Sequence, residues 1–544
     1  MSTAPTTGKL KHFMLTTIPA LGHIRAEVGI VCELVKTDPH LIFTVLVPKV
    51  MAPIFSQELG QWSVTEGDLS RIKVVGIGKS EKPEPGQMFE WLDQVFRAQV
   101  QEMRKAYQTM IRRGALVCTA TGTVVDYQHI SPPSAAFLDI VTPAFAPYVK
   151  ETTPEVKIIG LWVGTAGFIL GHHGPAEHGG MFYWEARTNA VFERGEDGGR
   201  SFDEVAQSIR KAPNTGKLLP NADGVRMYDY ETEPQTSGAG ALPVPMLMGA
   251  VQQATQFAHA SIAATTSDFE PGSMKLLRKW YEGELGKKLF NFGPLVPFSA
   301  APYKAPFLAA QGPFQPVFNF LDSRPPKSVM LVSFGSVFFP AHPWQLETIF
   351  KTLLETRTPF ISSRASAMFQ PLDPELEKTI EESGLGLTVD YVPQREILRH
   401  PSMGSFLTHG GNNSMFESIG AGVLNVFWPF DADQPVHSAY MSRVLDCSWE
   451  LIQVRTGEGA QPPARGGKVQ GTPAAVAAEF RQVLSEINGE VGKRRRKNLE
   501  VLRQKMFDAL AEGGDVKKDV QALLKFASAV CLGFEFCVLN LDKC

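Results

Sequence analysis

Short apolar runs alternate with helix-period segments along most of the chain. Residues 12–18, a short apolar stretch interrupted by threonines, and residues 41–47, a nearly unbroken apolar run, read as strands, and residues from about 24 to 35 between them repeat apolar positions at helical spacing. Further strands are predicted at 136–140, 156–161 and 261–264, with helical patterns around 101–112 and 276–283. Between 182 and 245 the pattern breaks into Gly, Asn, Asp and Glu, which predicts an insertion or a mobile loop region. A Pro/Ala/Gly-rich segment, residues 293–316, reads as an interdomain linker.

Alternation restarts with a strand at 329–334 that closes on Gly335 and Ser336. A helix at 345–355 and strands at 360–362 and near 387–389 follow. From about Ala474 the pattern is helical, including 501–510 and 520–526. Strands alternating with helices predict parallel sheets covered on both faces. Two such sets predict two doubly wound α/β domains facing one another, with ligands bound outside the carboxyl ends of the strands. No internal repeat stands out.

Composition narrows the class. At 544 residues the chain exceeds the roughly 250–300 that one core holds, which fits two domains. Apolar and charged fractions of 44% and 20% are those of a globular protein. A net charge of -3 without a dominant basic tract argues against nucleic acid as a partner. The basic run from Lys493 to Lys497 sits in a helical stretch and reads as a solvated face. The six cysteines show no metal-ligand spacing, and Cys531, Cys537 and Cys544 fall in the final tail, so free thiols in a reducing compartment are expected. The N-terminal segment reads as a strand, not a signal peptide, and no run reaches the roughly 20 apolar residues of a membrane span. A cytoplasmic protein is expected.

The most informative stretch is SFLTHGGNNSMFESIGAGVLNVFWPFDADQ, residues 405–434. Phe406 and Leu407 begin it as a buried strand. The chain then turns through His409-Gly410-Gly411 into a helical pattern carrying Glu417, and a second strand follows at 423–427. A strand, a glycine turn and a helix opening on small polar residues form an anion site, because free backbone N–H groups and the positive end of the helix dipole face one point. His409 adds a side-chain donor. A phosphorylated ligand is the expected occupant.

This stretch, with Tyr391-Val392-Pro393-Gln394 before it, resembles the donor-binding signature of the UDP-dependent glycosyltransferases, family 1, which use two facing Rossmann-like domains (the GT-B fold). FNFGPLVPF (290–298), LDSRPPKSVMLVSFGS (321–336) and IPALGHIRA (18–26) extend the similarity over most of the chain in the family's order. The resemblance implies that Tyr391 stacks on the uracil and Gln394 bonds near its edge. His409, Asn413 and Ser414 would hold the diphosphate, with Ser336 nearby. Glu417 would accept from the ribose hydroxyls, and Asp433 and Gln434 would grip the transferred sugar. Many members, particularly in plants, carry Trp where this chain has Tyr391 and Asn412; the first change weakens stacking and the second alters packing beside the sugar.

On the acceptor side, the resemblance makes His23, at the start of the first helix, the general base. It nominates Asp139, at the end of AAFLDI, as the acid that orients it, with Asp126 upstream as the alternative. The domain layout expected is an acceptor-binding domain over 1–292, the linker 293–316 and a UDP-sugar-binding domain over 317–500. Helices at 501–528 would return to the first domain, and the tail 529–544 has no assigned role. The activity implied is inverting transfer from a UDP-sugar, glucose first and xylose next, to a hydroxyl of an apolar small molecule, with no metal or other cofactor. A UDP-sugar epimerase or hydrolase on the same fold and a non-catalytic sugar-nucleotide-binding protein are the alternatives.

Other signals carry less. The segment ending Gly78-Lys79-Ser80 imitates a P-loop but has Lys73 where the first glycine belongs. Asp431-Ala432-Asp433 imitates a metal-binding acid pair beside a diphosphate site that supplies its own positive field. Asn412-Asn413-Ser414 fits a glycosylation sequon, which matters only in a secreted chain. His172, His173 and His178 cluster in a Gly/Pro loop, either as a metal site or as polar lining of an acceptor pocket. Phe13, Phe89, Trp91, Phe145, Trp162, Phe168 and Phe182 are candidates for that pocket or for the core.

Overall fold

The computed structural model describes residues 10–79, 88–142, 145–209, 214–236, 249, 251–252, 255–298 and 312–529, with backbone only at 88–97 and 181–183. The first half carries β1 (Lys11–Thr16), β2 (Leu41–Pro48), β3 (Ile72–Ile77), β4 (Ala115–Val117), β5 (Val124–Asp126), β6 (Ala135–Asp139), β7 (Lys157–Trp162), β8 (Ala260–Ala263) and β9 (Lys288–Asn291). The second carries β10 (Val329–Ser333), β11 (Phe360–Ser363), β12 (Gly386–Val389), β13 (Met403–Thr408), β14 (Leu424–Phe427) and β15 (Ser448–Glu450). Among the described residues they form a seven-stranded sheet in the order β3-β2-β1-β6-β7-β8-β9, a six-stranded sheet in the order β12-β11-β10-β13-β14-β15, and the β4-β5 hairpin.

Both large sheets are parallel throughout, which explains why central strands such as β2 and β10 read as apolar runs. Every residue of β2 is buried. Phe13 lies opposite Phe43 on one side and Ala135 on the other. With Phe137 the two phenylalanines make a buried cluster with ring centroids 5.4–6.0 Å apart. Each such side chain contributes roughly 1.5–3 kcal/mol by leaving water. In the second sheet Leu331 lies opposite Ile361 and Phe406.

The strand order places the functional ends. In each sheet the winding reverses once, between β1 and β6 and between β10 and β13. At such a switch point adjacent connections leave in opposite directions and open a crevice at the carboxyl ends.

The C-terminal helices join the two halves. In the helix Glu490–Leu510, Leu499, Leu502 and Met506 belong to the second core and Ala509 to the first. The helix Asp515–Ser528 then adds Val516, Val520, Leu523 and Leu524 to the first core. Within the basic run, Arg494 and Arg495 both bind Asp446, at 2.7 and 3.0 Å.

The segment expected as loop between 182 and 245 instead contains helices Met181–Glu193 and Phe202–Ser208, the latter opened by a Ser201/Glu204 capping box. Farther on, Glu231 is pinned to the second half. Arg455 and Arg465 each contact both Glu231 and Glu450, at 2.7–3.1 Å, with all four side chains at most 3% exposed. Residues 210–213 and 237–245 of this segment, most of the expected linker and the tail beyond Ala529 lie outside the described residues. Among the described residues no helix is long and apolar enough to cross a membrane.

Candidate active site

The two strands that flank the first switch point each deliver one side chain. After β1 the chain turns through Ile18-Pro19-Ala20 into the helix Leu21–Thr37, whose third residue is His23. β6 ends on Asp139. His23 Nδ1 and Asp139 Oδ2 are 2.5 Å apart. Asp139 Oδ1 accepts the Val141 N–H at 2.8 Å, so the carboxylate is held in place. A ring that donates from Nδ1 keeps its Nε2 lone pair free to accept a proton. The His23 side chain retains 25% exposure while that of Asp139 is fully buried. Burial alone depresses the His23 pKa, but the Asp139 carboxylate, reinforced by Asp433, reverses this and the net shift is upward. Asp126 is exposed at the end of β5 and caps the Gln128 N–H.

The second switch point supplies the opposite wall. β13 leads through His409-Gly410-Gly411 into the helix Asn412–Ala421. Gly335, just after β10, has a φ of 76°, and a Cβ there would lie 2.8 Å from the His409 ring. Only glycine allows that approach. Burial lowers the His409 pKa to about 4, so the ring is a neutral hydrogen-bonding group at physiological pH. Ser336 follows on the same turn, and its carbonyl accepts the Ala367 N–H.

Asp433 lies across the mouth of the Asn412–Ala421 helix, with Oδ2 accepting the Asn412 N–H at 3.0 Å. Burial raises its pKa, against the opposing pull of His437 and of that N–H. Gln394, Ser414 and Glu417 form one buried cluster, in which Gln394 Nε2 donates to Ser414 Oγ at 3.2 Å and to Glu417 Oε2 at 2.7 Å. Tyr391 lies at the rim, 44% exposed, with its ring 6.1 Å from that of Phe314.

Two side chains have engagements that the sequence did not suggest. Asn413 Nδ2 donates to the Gly22 carbonyl, beside His23, at 2.8 Å. Gln434 is buried, and its Oε1 accepts the Phe430 N–H at 2.9 Å, which leaves its amide N–H₂ as the free end.

The structure also brings in residues that sequence reasoning missed. His437 bridges the halves, donating from Nδ1 to the Gly410 carbonyl at 2.9 Å and accepting at Nε2 from Thr165 at 3.0 Å. Arg25 Nη1 is 3.5 Å from Glu417 Oε1, while Glu58 contacts both Arg25 and Arg395 at 3.2 and 3.1 Å. Glu27 is completely buried near Asp139. Arg25 and Glu27 follow His23 by two and four residues, and a charged Glu on an otherwise apolar helix face was the available signal.

Of the expected pocket aromatics, Phe13, Phe145 and Trp162 are core residues. The side chains of Phe89, Trp91 and Phe182 lie outside the described residues. His172 and His173 pack against Phe168, and burial lowers their pKa values to about 4 and about 3. Among the described residues no group of three or more His, Cys, Asp or Glu side chains gathers to hold a metal.

Two parallel-sheet domains meeting at their switch points define the GT-B fold. The chain's fold is similar to that of a UDP-bound transferase from Siraitia grosvenorii, with a TM-score of 0.67 at 18% identity over 95% of this chain and 100% of that one. Residues 308–453 match the family described as UDP-glucoronosyl and UDP-glucosyl transferase. UDP-glycosyltransferase eriJ of Hericium erinaceus is 31% identical over 60% of this chain and 66% of its own length. Anthocyanidin 3-O-glucosyltransferase UFGT of Vitis vinifera is 33% identical over 39% of this chain and 41% of its own. The chain belongs to the family 1 UDP-glycosyltransferases. It spans 41–66% of the length of these two curated relatives.

Proposed function

We propose that the protein is an inverting, cytoplasmic UDP-glycosyltransferase that moves a sugar from a UDP-sugar to a hydroxyl of an apolar small molecule. The acceptor class is a specialised metabolite such as a terpenoid, phenolic or lipid. The observation that carries this reading is the 2.5 Å contact between His23 and Asp139 at one switch point, with Asp433 near enough across the domain junction to raise the His23 pKa. The acceptor oxygen attacks the anomeric carbon as its proton passes to His23 Nε2, and the bond from that carbon to UDP breaks on the opposite face. Asp139 stabilises the imidazolium that forms. The departing diphosphate gathers charge at the mouth of the Asn412–Ala421 helix, where free N–H groups, His409, Asn413, Ser414 and nearby Ser336 receive it. That positive field makes a metal unnecessary in this reading.

On the nucleoside, Tyr391 stacks on uracil, Gln394 bonds its edge and Glu417 accepts from the ribose hydroxyls. Asp433 and the Gln434 amide hold the sugar. Glucose is the first sugar to test and xylose the next, because a relative matched over part of its length is named a glucosyltransferase. Incubating the protein with labelled UDP-glucose and a panel of alcohols tests the reading. A glycoside is expected. Free sugar would indicate a hydrolase or epimerase, and unchanged bound donor a binding protein.

Two further outcomes are expected. The base works as neutral imidazole, so kcat/KM rises with pH as His23 loses its proton. Because Asp139 lifts the His23 pKa, the midpoint of that limb should fall above the ordinary value of about 6.5. A pH–rate profile with its midpoint below that value would contradict the pairing. Glu417→Ala should weaken UDP binding by about 1.5–3 kcal/mol, roughly tenfold or more, as measured by calorimetry.

A further inference from the structure

Glu27 lies one helical turn beyond His23, and the helix around it buries Ala26, Val28, Ile30 and Val31. Its own exposure is 0%. A carboxyl group in such a setting needs partners, yet neither Glu27 oxygen completes a hydrogen bond. Two polar groups face it, the Thr17 hydroxyl just after β1 and the carboxylate of Asp139. Asp139 is already committed, with Oδ2 to His23 and Oδ1 to the Val141 N–H. Among the described residues, Arg25 on the same helix is engaged with Glu58 and Glu417, and Lys517, from the helix packed alongside, with Glu33. Two adjoining buried carboxylates served by one imidazole cannot both hold a negative charge.

We propose that Glu27 is kept as the neutral acid behind Asp139 and that its O–H donates to the Asp139 carboxylate, forming the last member of a His23–Asp139–Glu27 relay that tempers the pull of Asp139 on His23. The proposal rests on His23 as the acceptor base and adds to it a positioning residue that touches neither substrate. Burial and the Asp139 charge both raise Glu27 well above the usual carboxylate range, consistent with a proton that stays on it through the reaction. In the transfer step the acceptor proton goes to His23 Nε2, while the Nδ1 proton and the Glu27 proton stay where they are. A donor on Asp139 takes up part of its charge, so the imidazolium is stabilised without being locked in. Asp433, which bears on His23 from the opposite domain, is the other acid that faces the base.

The test follows the His23 imidazole by NMR titration and the Glu27 acid by its infrared carbonyl band, on the full chain without substrates. Glu27→Gln keeps a donor on Asp139, so its His23 midpoint should coincide with wild type. Glu27→Leu removes the donor, so the midpoint should move up by about one pH unit; Glu27→Met replaces it if Leu does not fold. A neutral-acid band present at pH 7 in wild type and lost in Glu27→Gln completes the expected result. A downward shift in Glu27→Gln would show that Glu27 is ionised and overturn the relay, as would an unchanged midpoint in the apolar variant or the absence of the band. Because none of these readouts uses turnover, a chain that transfers no sugar would fail the proposed function while leaving the relay standing.

Discussion

Replacing His23 with alanine should cut sugar transfer by roughly 10²–10⁴-fold and leave UDP affinity at its wild-type value. The expected split follows from where the groups sit. His23 opens the first helix of one domain, whereas the helix mouth at Asn412 and the cluster of Gln394, Ser414 and Glu417 belong to the other. The link beside His23, from Asn413 to Gly22, uses the Gly22 backbone carbonyl and survives the substitution. Asp139→Asn should also lose rate, because an amide does not stabilise the imidazolium and its N–H competes for the wrong ring tautomer. Transfer assays with labelled donor, paired with calorimetry of UDP, check both. Equal transfer by wild type and His23→Ala would remove His23 as the base, and lost UDP affinity would place His23 in the donor site instead.

How far the sequence discloses this arrangement depends on how local each feature is. β1, β2, β6, β10 and β13 are central strands buried on both faces, so their apolar runs stand out. The strand–glycine turn–helix unit around His409 is contiguous, and its chemistry is legible without the fold. β15, Ser448-Trp449-Glu450, is short and carries a glutamate paired with Arg455 and Arg465 from beyond the strand, so no run of residues marks it. β3 runs directly into Gly78-Lys79-Ser80, so the segment invites comparison with a phosphate loop. The helix Met181–Glu193 mixes aromatic and polar residues without a clear apolar stripe, so its periodicity is weak. The domain-spanning contacts were out of reach for a different reason. Arg25 meets Glu417, and Thr165 meets His437, only because two sheets present their switch points to one another. Chain separation of hundreds of residues leaves no local trace of such pairs.

Glu231→Ala should destabilise the protein by about 3–5 kcal/mol, the cost of breaking a buried ion pair by removing one partner. Four charges, two of each sign, share one fully enclosed site, with Arg455 and Arg465 each reaching both Glu231 and Glu450. Burial alone would raise the Glu450 pKa, but the two guanidinium groups overcome it and hold the carboxyl below its usual range. Without Glu231, two buried cations would face a single carboxylate. The Ala464 and Tyr228 N–H groups that Glu231 Oε1 accepts would also lose their partner. Glu231→Gln keeps an oxygen for those donors and should fall between the alanine variant and wild type. Chemical denaturation gives the size of the effect, and limited proteolysis locates it, with new cleavage expected between 214 and 236, the stretch that Glu231 fastens to the second domain. An alanine variant within about 0.5 kcal/mol of wild type, the range of ordinary surface substitutions, would mean that desolvation cancels the attraction among the four charges and that the stretch is held by apolar contacts such as those of Val225 and Met227 with the second core.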